Sequence, residues 1–396
     1  MRYRKHKSKG GIHLLLFVIT LVTTTFAGAE WIHGKPILDW SNGSISDWVN
    51  SRTLSDGFHY SIPLLLALSF HEFGHYFTAR YYRIRVTLPY YLPFWFFDLS
   101  SSIGTMGAFI RIKERMRSRK QFFDVGIAGP LAGFIVGLGI LYYGYTHLPP
   151  RSYVLDIHPE YKEMPGYQIY GDDYSKYAYE ADSTGTPKLL VSLQKPLLFL
   201  LAERYWVKDS SRIPDTREMM HYPYLLAAYI VMLFTALNLI PIGQLDGGHI
   251  LYGLLGPKLF NRTAVVLFYG FLYYAGLGLV SPYTPFPRLL IHLTLYVYFL
   301  YLCFYSTSPF PMHRLTLALS VVFLQFATLW LFPQAEGYSG WLVFIFILGR
   351  FLGIYHPTAY MEAPIGRGRQ LLGWLSLLIL LLCFLPAPFN IEVIGE

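Results

Sequence analysis

The chain has 396 residues, of which 54% are hydrophobic, 18% aromatic and only 14% charged, with a formal net charge of +8. A soluble domain carries about a quarter charged residues, so this composition excludes an ordinary soluble protein and fits a polytopic membrane protein. In a soluble chain the excess of base would suggest nucleic acid. Here the basic residues fall in alternate loops between apolar runs, where they report membrane orientation and imply no nucleic-acid partner.

Apolar runs of spanning length lie at about Gly11 to Ala29, Ser61 to Ala79, Phe122 to Tyr145, Tyr222 to Pro241, Thr263 to Val280, Leu289 to Tyr305, Leu315 to Phe332, Gly340 to Tyr355 and Leu371 to Pro386. They predict an all-α polytopic membrane protein of about nine transmembrane helices. The tail with Arg2, Arg4, Lys5, Lys7 and Lys9 belongs inside. So do the loops with Arg80, Arg83, Arg85 and Lys113 to Lys120, with Lys258 and Arg262, with Arg314, and with Arg367 and Arg369. This predicts a cytoplasmic N-terminus and an outer C-terminus bearing Glu392 and Glu396, in a membrane of the bacterial inner type. The first run is either a span or, with Ala27-Gly28-Ala29 at its end, a cleaved signal peptide. In both cases the second run passes from outside to inside. Cys303 and Cys383 sit in apolar runs, which leaves no disulfide framework and no cysteine metal site.

The second run contains His71-Glu72-Phe73-Gly74-His75. On a helix, residues four apart share a face, so the imidazoles of His71 and His75 can grip one metal ion while Glu72 stands beside it. Zinc acidifies water toward neutral pH, and the glutamate can take the proton and pass it to a leaving amine. An ionisable group at mid-membrane costs about 2.5 to 3.5 kcal/mol on insertion scales, which favours function over decoration. The bland reading is a helix end dipping into the headgroups.

Two histidines leave a catalytic zinc one protein ligand short. The best third candidate is Asp246, in the stretch Asn238-Leu239-Ile240-Pro241-Ile242-Gly243-Gln244-Leu245-Asp246-Gly247-Gly248-His249 at the inner end of the fourth run. Zinc with two neutral imidazoles, one carboxylate and one hydroxide sums to zero charge, and a neutral cluster is far cheaper to bury. His249 competes for this role, with His292 and His356 behind it; His356-Pro357 reads as turn chemistry. Read alone, the stretch would be an ordinary helix-ending turn.

Between Thr87 and Ile112 the chain is apolar but broken by Pro89, Pro93 and glycines, with Ser100 to Ile110 reading as extended. It is expected to form a small re-entrant β-hairpin after the second helix. Its edge, at Ile103, Gly104, Gly107 and Ala108, could accept an unwound substrate segment by strand addition; the alternative is a packed interfacial loop. Gly126, Gly129 and Gly133 form a small-residue face that lets helices approach closely. The polar stretch 146–221, with Asp172-Asp173, falls outside and either screens substrates or caps the protein. Within it Lys188 to Val207 reads as an amphipathic helix lying on the membrane.

With HExxH in one run, NxxPxxxLDG in a later one and Gly126-Ile127-Ala128-Gly129-Pro130-Leu131-Ala132-Gly133 between them, the chain resembles the site-2 protease family of intramembrane zinc metalloproteases. The resemblance covers about Ser61 to Gly248. It implies one zinc ion per chain held by His71, His75 and Asp246, Glu72 as general base, and Asn238 as a residue that holds substrate backbone near the metal. It also implies a membrane-protein substrate with a transmembrane helix. The chain departs from the family's minimal core in having five further spans after Asp246. The expected organisation is residues 1–60 as tail, first helix and outer loop; 61–145 as HExxH helix, hairpin and third core helix; 146–221 as extracytoplasmic loop; 222–250 as fourth core helix; and 251–396 as a five-helix extension. The expected activity is hydrolysis of peptide bonds in transmembrane segments. A membrane metal-ion transporter is the alternative, disfavoured because the later runs hold few polar residues. An inactive membrane scaffold is disfavoured by the intact Glu72 and ligand set.

Overall fold

A computed structural model describes residues 10–39, 44–95, 102–150, 152–163, 165–171 and 188–394. The basic tail, Ser100, Ser101, Asp172-Asp173 and Glu396 lie outside the described residues. Each of the nine apolar runs is helical: α1 (Gly10–His33), α2 (Ser51–Tyr81), α3 (Arg119–Thr146), and further along the chain α7 (Pro223–Leu239), α9 (Pro257–Gly276), α10 (Phe286–Cys303), α11 (Pro311–Leu331), α12 (Trp341–Ile347, continued by a π-helical turn Leu348–Leu352) and α13 (Arg367–Cys383). Between α3 and α7 lie α4 (Ser152–Ile157), α5 (Pro165–Tyr170) and α6 (Leu197–Trp206), and α8 (Asp246–Leu255) follows α7. Among the described residues, four helices are long and apolar enough to cross a membrane: α1, α3, α10 extended to Ser306, and α11. The protein is therefore a mostly helical membrane protein; the count of nine crossings is not established by helix length and composition. The strands pair as three antiparallel two-stranded sheets: β1 (Leu38–Asp39) with β2 (Ser44–Ile45), β3 (Tyr90–Phe94) with β4 (Gly104–Phe109), and β5 (Lys188–Leu193) with β6 (Phe389–Ile394).

The chain divides into two compact units, one of residues 1–115, 128–237 and 379–396, the other of residues 116–127 and 238–378. In the first, α1 and α2 pack backbone to backbone. A Cβ on Gly57 would stand 2.2 Å from the Thr25 carbonyl oxygen, and one on Gly28 would stand 2.5 Å from the Tyr60 ring. The hydroxyls of Thr20, Thr24 and Thr25 donate to carbonyls one turn earlier, so these buried polar groups are satisfied within their own helix.

The β3–β4 hairpin lies along α1. Near the start of α1, His13 Nδ1 donates to the Pro89 carbonyl at 2.9 Å; near its end, Trp95 Nε1 donates to Glu30 Oε2 at 2.8 Å and Trp31 Nε1 to the Ser102 carbonyl at 3.0 Å. A bulge between Tyr91 and Pro93 accommodates the proline, which has no N–H for the ladder.

The segment Lys188 to Val207 departs from expectation. Its first part is strand β5, in register with β6 from Lys188 opposite Ile394 to Leu193 opposite Phe389, and only Leu197–Trp206 is helix. Pro196 starts that helix, and the distant C-terminal strand supplies the backbone partners that a surface helix would have supplied locally.

In the second unit, α8 leaves the turn after α7, and the stretch 352–366 folds back against it. Arg119 holds the C-terminal end of α8, its Nε donating to the Gly253 carbonyl at 2.9 Å and its Nη2 to Leu254 at 3.0 Å. Arg369 pairs with Asp124 through two bonds of 2.7 and 2.9 Å, the bidentate geometry that makes guanidinium pairs strong.

Candidate metal centre

Helix α2 begins at a capping box. Asn50 accepts from the amides of Arg52 and Thr53, and the Thr53 hydroxyl accepts from the Asn50 amide. From this fixed start the helical period sorts its residues onto two faces. His71, Glu72 and His75 are buried, while Phe58, Ile62, Leu66, Phe70 and Phe77 are exposed. Around the HExxH motif the helix therefore turns its ionisable groups inward and Phe70 and Phe77 outward, the reverse of a surface helix in water.

The two imidazoles converge, with Nε2 of His71 and Nε2 of His75 3.1 Å apart. A tetrahedral zinc with Zn–N bonds of about 2.05 Å sets its two nitrogens roughly 3.3 Å apart, so the pair is spaced for such an ion. Glu72 Oε1 lies 3.9 Å from His71 Nε2, beside the pair.

The glycine face of α3 makes room for this arrangement. A Cβ on Gly129 would sit 2.1 Å from His75 Nε2, and one on Gly133 would sit 3.1 Å from His71 Cβ. Gly74 of α2 lies against α3 in turn, where a Cβ would meet the Ala128 carbonyl at 2.5 Å. Both helices are stripped of side chain at the level of the histidines, so their backbones close around the imidazoles.

Asp246 is the first residue of α8. The chain reaches it through a tight reversal. Gly243 has φ +61°, and a Cβ on Gly247 would stand 1.9 Å from the Leu239 carbonyl, so only glycine fits there. Each of His71, His75 and Asp246 offers one atom that could bind a metal ion. Two imidazole nitrogens and a carboxylate oxygen are donors zinc accepts in catalytic sites.

Other sequence expectations meet mixed outcomes. His249 was a competing ligand, but its Nδ1 is engaged at 2.6 Å with His356 Nε2. His292 is exposed on α10. Asn238 is half-buried one residue before the end of α7. In the hairpin, the carbonyl of Ile103 accepts from the Tyr60 hydroxyl at 3.0 Å and that of Gly104 from the Thr23 hydroxyl at 2.7 Å, so these two are bound to α2 and α1. Ala108 faces Tyr91 across the ladder, and Gly107, at φ +99°, has open space at its Cβ position. His356 was read as turn chemistry, yet it is buried and stacked on Tyr252 with ring centroids 3.9 Å apart. Nothing in the local pattern marks that pairing.

A HExxH pair thus lies on the inward-facing side of a helix in a mostly helical protein, and an LDG carboxylate follows later in the chain. The model of peptidase family M50 matches residues 59–277, more than half of the chain, and the chain belongs to that family. It is 27% identical over 220 residues to "Probable zinc metalloprotease EGY2, chloroplastic" of Oryza sativa subsp. indica, a match covering 56% of this chain and 33% of the relative. It is 28% identical over 218 residues to the protein of the same description from Arabidopsis thaliana, covering 55% and 32%. To "Probable zinc metalloprotease EGY1, chloroplastic" of Arabidopsis thaliana it is 26% identical over 212 residues, covering 54% and 31%. The matches thus span about a third of these relatives. No solved structure matches.

Proposed function

We propose that the protein is an intramembrane zinc endopeptidase that hydrolyses peptide bonds in transmembrane segments of other membrane proteins, as a step of regulated intramembrane proteolysis. The observation that carries this reading is the two-faced helix α2, with His71, Glu72 and His75 buried on one side and Phe70 and Phe77 exposed on the other. A site on such a helix is reached from within the bilayer.

In this reading His71, His75 and Asp246 hold the zinc, which when bound supplies Lewis-acid polarisation of a carbonyl and acidifies water. Glu72 removes the proton from the attacking water and delivers it to the departing amine. Both histidines serve as neutral donors, so a proton on either ring competes with the metal. Asn238 and the open side of the hairpin around Gly107 and Ala108 hold the substrate backbone in extended form, since a helical segment shields its carbonyls until it unwinds. Ile103 and Gly104 would serve by shape, because their carbonyls already accept from Tyr60 and Thr23.

All nine apolar helices are proposed to cross the membrane, with the N-terminus inside, the C-terminus outside and the membrane of the bacterial inner type. The pairing of β5 with β6 supports the parity: Leu193 and Phe389 must lie on one side, so an even number of crossings separates them. Helices α7 and α9 to α13 supply six. The five-part organisation given above is proposed on the same grounds.

The test is zinc stoichiometry of the purified full chain together with cleavage of membrane-anchored substrates. Wild type should hold one zinc per chain and cleave within a transmembrane segment, His75→Ala should lose both properties, and Glu72→Gln should keep zinc and lose cleavage. Full activity in Glu72→Gln would remove the reading.

A further inference from the structure

The five-helix extension after Asp246 carries one feature beyond the proposed site: its segment 352–362 clasps the short helix on which Asp246 stands. At the turn before α8, the Gly243 amide donates to the Ile354 carbonyl at 3.1 Å, and a Cβ on Gly243 would collide with the Gly353 carbonyl oxygen at 2.1 Å. One turn into α8, His249 Nδ1 meets His356 Nε2 at 2.6 Å. Further along, the Tyr252 hydroxyl donates to the Glu362 carboxylate and accepts from the Ala359 amide at 2.8 Å.

With both rings neutral, the partner atoms assign the protons in this clasp. His356 Nδ1 lies 2.6 Å from the Pro357 carbonyl, which can only accept, so the His356 proton is on Nδ1 and its Nε2 is an acceptor. His249 must then donate from Nδ1. The Tyr252 ring stacks on His356 at an interplanar angle of 14°, and Phe122 meets it edge-on at 4.7 Å.

We infer that segment 352–362 is a buttress for the third zinc ligand, with His356 the positioning residue that fixes the rotation of α8 through His249. The inference rests on the reading of Asp246 as a ligand. A helix of ten residues does not hold its own orientation, because isolated helices shorter than about 12 to 15 residues are marginal. A carboxylate oxygen stands roughly 5 to 6 Å from the helix axis, so a rotation of about 20° moves it by roughly 2 Å. Ligand distances at zinc tolerate about 0.2 Å. His249 lies three residues after Asp246, on the neighbouring part of the same face, and is placed to stop that rotation.

The experiment measures the zinc dissociation constant of the full chain in detergent by competition with a chelator, for wild type, His356→Leu, His356→Gln, Asp246→Ala and His75→Ala. His356→Leu keeps bulk but offers His249 no acceptor, and should bind zinc about 10- to 100-fold more weakly, the range for loss of a group that orients a ligand. His356→Gln offers a carbonyl acceptor and should recover most of that loss, which a role in packing alone would not predict. If His356→Leu does not fold, Glu362→Gln loosens the other end of the clasp and should weaken zinc in the same direction. Wild-type affinity in His356→Leu or, where that variant does not fold, in Glu362→Gln, alongside loss of zinc in Asp246→Ala, overturns the buttress and leaves the metal centre standing. Retention of zinc by Asp246→Ala instead removes the reading beneath it.

Discussion

Gly129 gives the sharpest test of the helix packing that forms the site. In Gly129→Ala the new methyl carbon would lie 2.1 Å from His75 Nε2 and 2.5 Å from both neighbouring ring carbons. Non-bonded contacts between such atoms settle at about 3.5 Å, so the ring or the helix must retreat by roughly 1.4 Å. That is several times the displacement of about 0.2 Å that zinc ligation tolerates. A rotation of the imidazole cannot absorb it, because the overlap falls on three ring atoms at once. If the helices part instead, overpacking of this kind costs about 1 to 3 kcal/mol of stability. The expected outcome is a folded protein that has lost its zinc and its hydrolytic activity, read by metal analysis of the purified chain and by thermal unfolding. Gly139→Ala on the same helix is the matched control, since a Cβ there meets nothing within 4 Å, and it should behave as wild type. Stoichiometric zinc and full activity in Gly129→Ala would refute the account of how α3 forms the site.

Glu72→Gln should retain zinc while the turnover rate falls by about 10²- to 10⁴-fold, the usual contribution of a general base, measured on a membrane-anchored substrate. Truncation before Phe389 removes strand β6 and leaves the Lys188–Leu193 strand without a partner, so proteolytic cleavage near residues 188–196 should accelerate relative to wild type. Burial, and then the neighbouring His249, push the His356 imidazole down to about 3 from its ordinary value near 6.5, so the folded clasp excludes a proton that the unfolded chain accepts. Its contribution to stability is complete above about pH 6.5 and declines as pH falls from there toward about 3. Hydrogen exchange at residues 352–362, corrected for the intrinsic pH dependence, should therefore show falling protection between pH 7 and pH 5, and His356→Gln should flatten that trend.

Helix positions, the paired histidines and the glycine face were legible because each is a local matter. An i, i+4 pair shares a helix face whatever surrounds it, and an apolar run of spanning length is constrained by the bilayer itself. The β5–β6 pairing and the bond between His249 and His356, residues 107 positions apart, were not legible. Strand pairing and side-chain clasps depend on which distant segments the helices bring together, and no periodicity in either partner announces the other. The same limit produced the misreading of Lys188 to Leu193: its leucines suit an amphipathic helix and a strand alike, and only the availability of a partner edge decides between them. Sequence alone thus marked the HExxH pair and the helix that carries it. Tertiary structure alone decided that His249 meets His356, because that partner arrives on a segment folded back from far along the chain.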